Sequence, residues 1–215
     1  MALGDDNNMI NEVKESVKKI YENFDASHDF QHIERVLQNA EAILETEPTA
    51  DKEVVRLAVL LHDVSDKKYT DSKDNENRLI DSLNIAEEKK IHIRDIIASV
   101  SFNGGNELPA KTIEAKIVRD ADRLDAIGAV GIARTFAYGG AKGRKLYDDD
   151  EEVRVQMSEE DYRTKSTASV THFYEKLLLL KDLMTTEKGK QMAEARHAFM
   201  QDFLKQLKDE KEGRA

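Results

Sequence analysis

The segment 54–61 is apolar on nearly every side, and it constrains the fold of this chain more than any other feature. It reads Val-Val-Arg-Leu-Ala-Val-Leu-Leu, and Arg56 is its one charged residue. A helix that is apolar around its whole circumference belongs inside a protein rather than at its surface. We therefore predict a helix here at the centre of a bundle.

The rest of the chain favours helices as well. Apolar residues recur at helical spacing, and no segment alternates with the period of two that is typical of strands. Two prolines and ten glycines are few breakers for 215 residues, of which 35% are charged. Besides the central helix, we predict helices over the ranges 9–24, 33–44, 75–84, 87–100, 111–136, 169–184 and 188–207.

These patterns predict an all-α protein, a helical bundle with a single domain over residues 1–215. The segment 139–161 is rich in glycine, then basic, then acidic, which indicates a flexible loop. Residues 208–215 are predicted to form a frayed tail.

Composition excludes several classes of function. The chain carries 33 Lys and Arg against 43 Asp and Glu, a formal net charge of −10, so we expect no nucleic-acid polymer and no membrane as a partner. It has no cysteine, so any metal ion must be held by nitrogen and oxygen atoms. The first residues lack a signal-peptide pattern, and the longest apolar run, 57–61, is too short to span a bilayer. We expect a soluble, cytoplasmic protein.

His62 and Asp63 directly follow the most apolar helix. Burying a carboxylate there is unfavourable unless another charge compensates it, and a divalent cation bound by imidazole and carboxylate would do so. A helix cap or an ion pair with an arginine is the alternative for Asp63. His32, at the edge of the apolar stripe of its helix, can point toward the same core, although a core histidine without a ligand has the same pattern.

Three aspartates lie beside the apolar stripe of the helix predicted over 111–136, namely Asp120, Asp122 and Asp125. On an ideal helix Asp125 lies about 55° from the centre of that stripe, Asp120 about 85° and Asp122 about 115°. Periodicity alone therefore favours Asp125 as the residue that faces the core. Arg119 and Arg123 are alternative partners for all three carboxylates.

Three elements occur in order along the chain: His32-Ile33-Glu34-Arg35-Val36, Leu60-Leu61-His62-Asp63 and Ala121-Asp122-Arg123-Leu124-Asp125-Ala126. Together they resemble the HD-domain metal-dependent phosphohydrolases. The resemblance is strongest to small bacterial HD hydrolases that begin with His-Asp-Phe-x-His-x-x-Arg-Val, here residues 28–36. It extends over about residues 20–205 and implies a helical bundle of the HD-domain type.

The resemblance implies a site for one divalent metal ion, with Mn or Mg as the first candidates and Fe, Ni or Zn as the others. Its four ligands would be His32, His62, Asp63 and Asp122, so the family pattern selects Asp122 where periodicity selects Asp125. Asp66 matches an acidic residue that orients or deprotonates the attacking water in several branches of the superfamily.

Three further residues are candidates for contact with the substrate. His28, four residues before His32, would touch a phosphate or supply a proton, and the alternative for it is a capping and packing role. Lys67 and Lys68 follow Asp66 directly and would bind phosphate, although two lysines in a surface turn are also common without a ligand.

The family resemblance implies an enzyme that hydrolyses a small phosphorylated substrate, with nucleotides as the leading class and with release of phosphate or pyrophosphate. One alternative is a regulatory module that binds metal and nucleotide without turnover, and another is a hydrolase of cyclic nucleotides or other phosphodiesters. A helical interaction protein without metal is the remaining alternative. The chain is expected to act as a monomer or a homodimer.

Overall fold

The computed structural model describes residues 2–24, 29–67 and 69–215, and for residues 2–6 and 103 it describes the backbone only. The described residues form α-helices and 3₁₀ turns without a strand, which confirms the prediction of an all-α fold. The α-helices are α1 (Ala2–Tyr21), α2 (Phe30–Leu44), α3 (Lys52–Leu61), α4 (Asp74–Ser82), α5 (Glu87–Val100), α6 (Ile113–Leu124), α7 (Gly128–Ala141), α8 (Glu159–Thr164), α9 (Ser169–Glu175) and α10 (Glu187–Lys211). The 3₁₀ turns are Asn103–Gly105 and Leu177–Leu183.

The chain divides into two compact units. The first comprises Met1–Ser101 and Leu108–Asp122, and the second comprises Phe102–Glu107 and Arg123–Ala215. A single domain over residues 1–215 stays a prediction. In the described part of the chain, no helix is both long and apolar enough to cross a lipid bilayer.

Helix α3 lies at the centre of the first unit, as the apolar segment predicts. It packs against α1, α2 and α5, and seven of its ten residues are buried. Its first turn is capped by Asp51, whose carboxylate accepts a hydrogen bond from the backbone N–H of Val54. Burial of a leucine or valine side chain contributes about 1.5–3 kcal/mol, so the burial of α3 is a large contribution to the stability of this unit.

The second unit is built around α7 and α10, which pack against each other. The rings of Phe136, Phe173 and Phe203 meet there with centroids 5.8–6.1 Å apart. Gly139 permits α7 to approach α9, because a Cβ at this position would collide with the hydroxyl of Ser169.

The long helix predicted over 111–136 is wrong, since the chain leaves the helical path between Leu124 and Gly128. Gly128 has φ of +71°, a left-handed conformation that glycine adopts without strain. Two arginines stabilise the break: Arg196 donates to the carbonyl of Leu124 at 2.7 Å, and Arg134 donates to the carbonyl of Asp125 at 3.0 Å. Arg196 lies 72 residues after Leu124, and Arg134 reaches Asp125 only because the helix is broken between them. Helical periodicity therefore reveals neither partner.

The single helix predicted over 169–184 is also interrupted. Helix α9 ends at Glu175, and Leu177–Leu183 continues as a 3₁₀ turn. In a 3₁₀ turn residues three apart share one face, and this brings both Leu177 and Leu180 into the core.

Helices extend into the ranges predicted as a loop and as a tail. Residues 139–141 belong to α7, and residues 159–161 belong to α8, whose first turn is capped by the hydroxyl of Ser158. Helix α10 continues to Lys211, so residues 208–211 are helical, and a frayed tail over 208–215 stays a prediction. Ion pairs made by residues of this last turn stabilise it, such as Lys211 with Asp149 at 2.6 Å.

Candidate metal centre

Four side chains from three separate segments of the first unit meet in one place. His32 lies in the first turn of α2, where the carboxylate of Asp29 accepts the backbone N–H of His32. His62 and Asp63 form the turn that directly follows α3, and Asp122 lies in the last turn of α6. The structure therefore brings together all four residues that the family resemblance identifies as ligands.

The four side chains point their nitrogen and oxygen atoms at one another. Each offers one ligand atom, and these atoms all lie within 4.8 Å of one another. The Nε2 atom of His32 is 3.2 Å from Oδ2 of Asp63 and 3.3 Å from Oδ1 of Asp122. The Nε2 atom of His62 is 3.4 Å and 3.1 Å from the same two oxygens.

These separations suit a small divalent cation. Metal–nitrogen and metal–oxygen distances of about 2.1–2.2 Å place neighbouring ligand atoms about 3.0 Å apart in octahedral geometry and about 3.5 Å apart in tetrahedral geometry. The four nitrogen–oxygen separations measured between the two imidazoles and the two carboxylates lie within this range. Two imidazoles and two carboxylates are also a donor set suited to Mn²⁺, Fe²⁺ or Zn²⁺.

The ring of His62 is oriented by the backbone. Its Nδ1 donates a hydrogen bond to the carbonyl oxygen of Val59 at 2.7 Å, which leaves Nε2 as the atom that faces the cluster. Imidazoles that bind metals are commonly held in this way. His62 therefore has the orientation of a ligand, with Nε2 directed at the two carboxylates.

The electrostatics of the cluster reflect strong mutual attraction. Burial disfavours the protonated form of His62, but the carboxylates of Asp63 and Asp122 outweigh this effect and raise the pKa of His62 to about 9. Burial would raise the pKa of both carboxyl groups, but the neighbouring His62 and His32 hold the pKa of Asp63 and of Asp122 below the usual range. Both carboxylates are thus present in the ionised form in which they bind a cation.

The geometry favours Asp122 over Asp120 and Asp125 as the fourth member. Asp125 lies just beyond the end of α6, where an ideal helical wheel no longer applies, and its carboxylate pairs with Arg134 at 3.2 Å. Asp120 is fully buried and does not belong to the cluster. The selection of Asp125 by periodicity fails because it assumes a helix that continues through residue 125.

Two of the other predicted site residues, Asp66 and Lys67, lie in the segment that directly follows α3. The backbone N–H of Asp66 bonds the carbonyl oxygen of Asp63 at 3.1 Å, so Asp66 follows the cluster within a single turn, and its side chain is half-buried. Lys67 is exposed in the same turn. His28 and Lys68 lie outside the residues that the structure describes.

Sequence reasoning missed one residue beside the cluster. Asn39 is buried on α2, and its side-chain amide donates to the backbone carbonyl of Ala121, next to Asp122. The signal was available, because Asn39 is a polar residue three positions after Val36 on the apolar stripe of this helix.

The chain is similar to known proteins over the part that contains the cluster. The HD-domain family model matches residues 29–127, a range that contains all four residues of the cluster. The sequence is 37% identical to YpgQ of Bacillus subtilis over 202 residues, which cover 91% of this chain and 90% of YpgQ.

The same likeness extends to solved structures. A Lactobacillus plantarum protein has a TM-score of 0.87 at 32% identity, with 96% of this chain and 98% of that protein covered. An HD-superfamily hydrolase from Bacillus thuringiensis has a TM-score of 0.73 at 40% identity, with 95% and 97% covered. YpgQ in complex with ADP has a TM-score of 0.72 at 34% identity, with 94% and 97% covered. The chain therefore belongs to the HD-domain family, among its small bacterial members such as YpgQ.

Proposed function

We propose that this protein is a divalent-metal-dependent phosphohydrolase that acts on a small phosphorylated substrate, with nucleotides as the favoured class. The observation that carries the proposal is the convergence of His32, His62, Asp63 and Asp122, whose ligand atoms lie within 4.8 Å of one another. A cation bound by these four residues would supply the positive charge that polarises a phosphoryl group and activates water.

Relatives of the chain support the class of reaction and of substrate. The Bacillus thuringiensis relative is an HD-superfamily hydrolase, and YpgQ forms a complex with ADP. A nucleotide carries both the phosphate groups that a cation attracts and the phosphoanhydride bonds that hydrolysis would cleave. The net charge of −10 does not oppose such a substrate. The cation would lie close to the phosphate, whereas the negative charges are dispersed over the surface and are screened by salt.

The turn after α3 would supply the groups that act on water and phosphate. We assign Asp66 to hold the attacking water and to accept its proton, because the Asp66 N–H bond to the Asp63 carbonyl keeps it within one turn of the cluster. Lys67 would attract the anionic phosphate from its exposed position in the same turn. His28 and Lys68 keep the roles that the sequence predicts for them, contact with phosphate and proton supply for His28 and phosphate binding for Lys68.

A release assay tests the proposal. The purified protein is loaded with Mn²⁺ and incubated with nucleoside mono-, di- and triphosphates, cyclic nucleotides and sugar phosphates, and both phosphate and pyrophosphate are measured. We expect turnover of at least one nucleotide, and a rate that is about 100-fold lower in Asp63→Asn. Asp150→Asn, which changes an exposed aspartate in the segment between α7 and α8, is the matched control.

The same assay separates the alternatives. Equal rates in the wild type and in Asp63→Asn would show that the reaction occurs elsewhere. Binding of Mn²⁺ and nucleotide without release of either product would support a regulatory module. Release from cyclic nucleotides alone would support a phosphodiesterase.

A further inference from the structure

The hydrogen bond from Asn39 to Ala121 joins the two helices that carry His32 and Asp122. Asn39 is 5% exposed, and its Nδ2 atom lies 3.0 Å from the carbonyl oxygen of Ala121. Burying a polar side chain on an apolar helix face lowers the stability of the folded protein unless the side chain forms a hydrogen bond. This bond links residues 82 positions apart in the sequence.

The acceptor of this bond lies at the end of α6. Ala121 belongs to the last turn of the helix, which ends at Leu124. The amide of Asn39 supplies this carbonyl oxygen with a hydrogen-bond donor from another helix. It fixes the backbone at the position immediately before Asp122.

The donor is rigidly related to His32. Asn39 follows His32 by seven residues, which is nearly two full turns, so both side chains leave the same face of α2. One helix face therefore contacts α6 at two points: Asn39 holds the backbone of Ala121, and His32 lies 3.3 Å from the carboxylate of Asp122.

We infer that Asn39 is a positioning residue for the metal centre: it holds the last turn of α6 against α2 so that Asp122 meets His32 and His62. The inference rests on the proposed metal site. Helix α6 has a second anchor, because Arg119 donates to the carbonyl of Ser99 at 2.9 Å. That anchor connects α6 to α5 one turn earlier, and Asn39 is the anchor that lies next to Asp122.

The test compares three proteins: the wild type, Asn39→Leu and Ser99→Ala. Leucine has nearly the shape of asparagine but cannot donate. The hydroxyl of Ser99 is also buried and also bonds a backbone carbonyl, but within α5. Alanine removes only this hydroxyl and keeps the Ser99 carbonyl that Arg119 bonds, so Ser99→Ala is the matched control. The affinity for Mn²⁺ is measured by electron paramagnetic resonance, and the coordination geometry is followed in the visible spectrum of the Co²⁺-loaded protein.

We expect Asn39→Leu to bind Mn²⁺ about tenfold more weakly or worse and to show an altered Co²⁺ spectrum, whereas Ser99→Ala resembles the wild type in both. Unchanged affinity and spectrum in Asn39→Leu would overturn the inference, as would equal changes in Ser99→Ala. If Asn39→Leu does not fold, as judged by circular dichroism, Asn39→Ala is measured in its place against the same criteria. A wild-type protein that binds no metal would refute the metal site itself, which is a different outcome from normal binding in both variants.

Discussion

The backbone carbonyl of Val59 accepts a hydrogen bond from Nδ1 of His62 across 2.7 Å, one turn back along the end of α3. The orientation of the imidazole is therefore determined by the path of the main chain, and no single side-chain substitution removes this support. His62 directly follows α3, the helix at the centre of the first unit, and its second ring nitrogen, Nε2, faces the carboxylates of Asp63 and Asp122.

Metal binding is expected to stabilise the folded state. Mn²⁺ at a free concentration 100-fold above its dissociation constant should raise the free energy of unfolding by about 2.7 kcal/mol, because the four ligands come together only in the folded chain. Thermal unfolding with Mn²⁺ and with a chelator measures the shift. The increase should be absent in His62→Ala and present in His92→Ala, which changes a histidine that bonds Thr112 outside the cluster. A similar increase in both variants would argue against the assigned ligands.

Asp122 and Asp125 are expected to respond differently to the same substitution. Asp122→Asn should abolish stoichiometric Mn²⁺ binding, because a neutral amide replaces a charged ligand. Asp125→Asn should retain binding but lower the free energy of unfolding by about 2 kcal/mol, because it weakens the buried contact with Arg134. Metal analysis and chemical denaturation of both variants provide the measurement. Loss of the metal in Asp125→Asn alone would reverse the assignment.

Because of Asp51, the free energy of unfolding of the first unit is expected to depend on pH in the acidic range. Partial burial would raise the pKa of Asp51, but hydrogen bonds from Lys89 and from the N–H of Val54 outweigh it and lower the pKa below 3.8. The unfolded chain therefore binds the proton more readily, so the stabilisation is present above about pH 4 and is lost as the pH falls through the lowered pKa. Asp51→Ala should be less stable by about 1 kcal/mol near neutral pH, and the difference should narrow below pH 4.

Urea denaturation between pH 7 and pH 3 measures the Asp51 effect. Asp51→Asn is the control, because asparagine caps a helix well but carries no charge. Its loss relative to the wild type should be smaller, and the difference in the free energy of unfolding between Asp51→Asn and Asp51→Ala should not vary with the ionisation of residue 51. A difference between the wild type and Asp51→Ala that stays constant down to pH 3 would contradict the prediction.

Two glycines of α7 are expected to respond to alanine with opposite signs. Gly128→Ala should destabilise the protein by about 1–2 kcal/mol, because φ is +71° and the new Cβ would lie 3.0 Å from the side chain of Arg196. Gly140→Ala should stabilise it by about 0.5–1 kcal/mol, because no atom lies within 4 Å of a Cβ there and alanine favours a helix. Equilibrium denaturation of the two variants checks both signs. Stabilisation by Gly128→Ala would show that residue 128 does not need a left-handed conformation.

The all-α class and the central helix were predictable from the sequence. A helix that is buried on all sides is built almost entirely from apolar residues, and this is visible in the sequence alone. Segment 54–61 is apolar whatever its neighbours are, so it identified α3 without knowledge of the rest of the fold. The adjacency of His62 and Asp63 at its end was equally visible. By contrast, the break after Leu124 depends on Arg134 and on Arg196, which is 72 residues away, and a local pattern does not contain such partners.

The fourth residue of the cluster shows where two kinds of sequence reasoning separate. Periodicity extrapolates a regular helix and selects Asp125, whereas the family pattern compares whole motifs and selects Asp122. The structure agrees with the family pattern because α6 ends at Leu124. Asn39 was missed for another reason. An asparagine in an apolar stripe indicates a buried hydrogen bond, but the sequence does not indicate which group accepts it.

The origin of the cluster in three distant segments has a mechanical consequence. A cation bound by His32, His62, Asp63 and Asp122 would cross-link the start of α2, the end of α3 and the end of α6, and so would close two large loops of chain without any covalent bond. Because the four ligands come together only in the folded chain, this cross-link would stabilise the fold through binding to the folded state and not by restricting the unfolded chain. In a chain without cysteine, such an ion would take the structural place of a disulfide, and unlike a disulfide it could be inserted and withdrawn as conditions change.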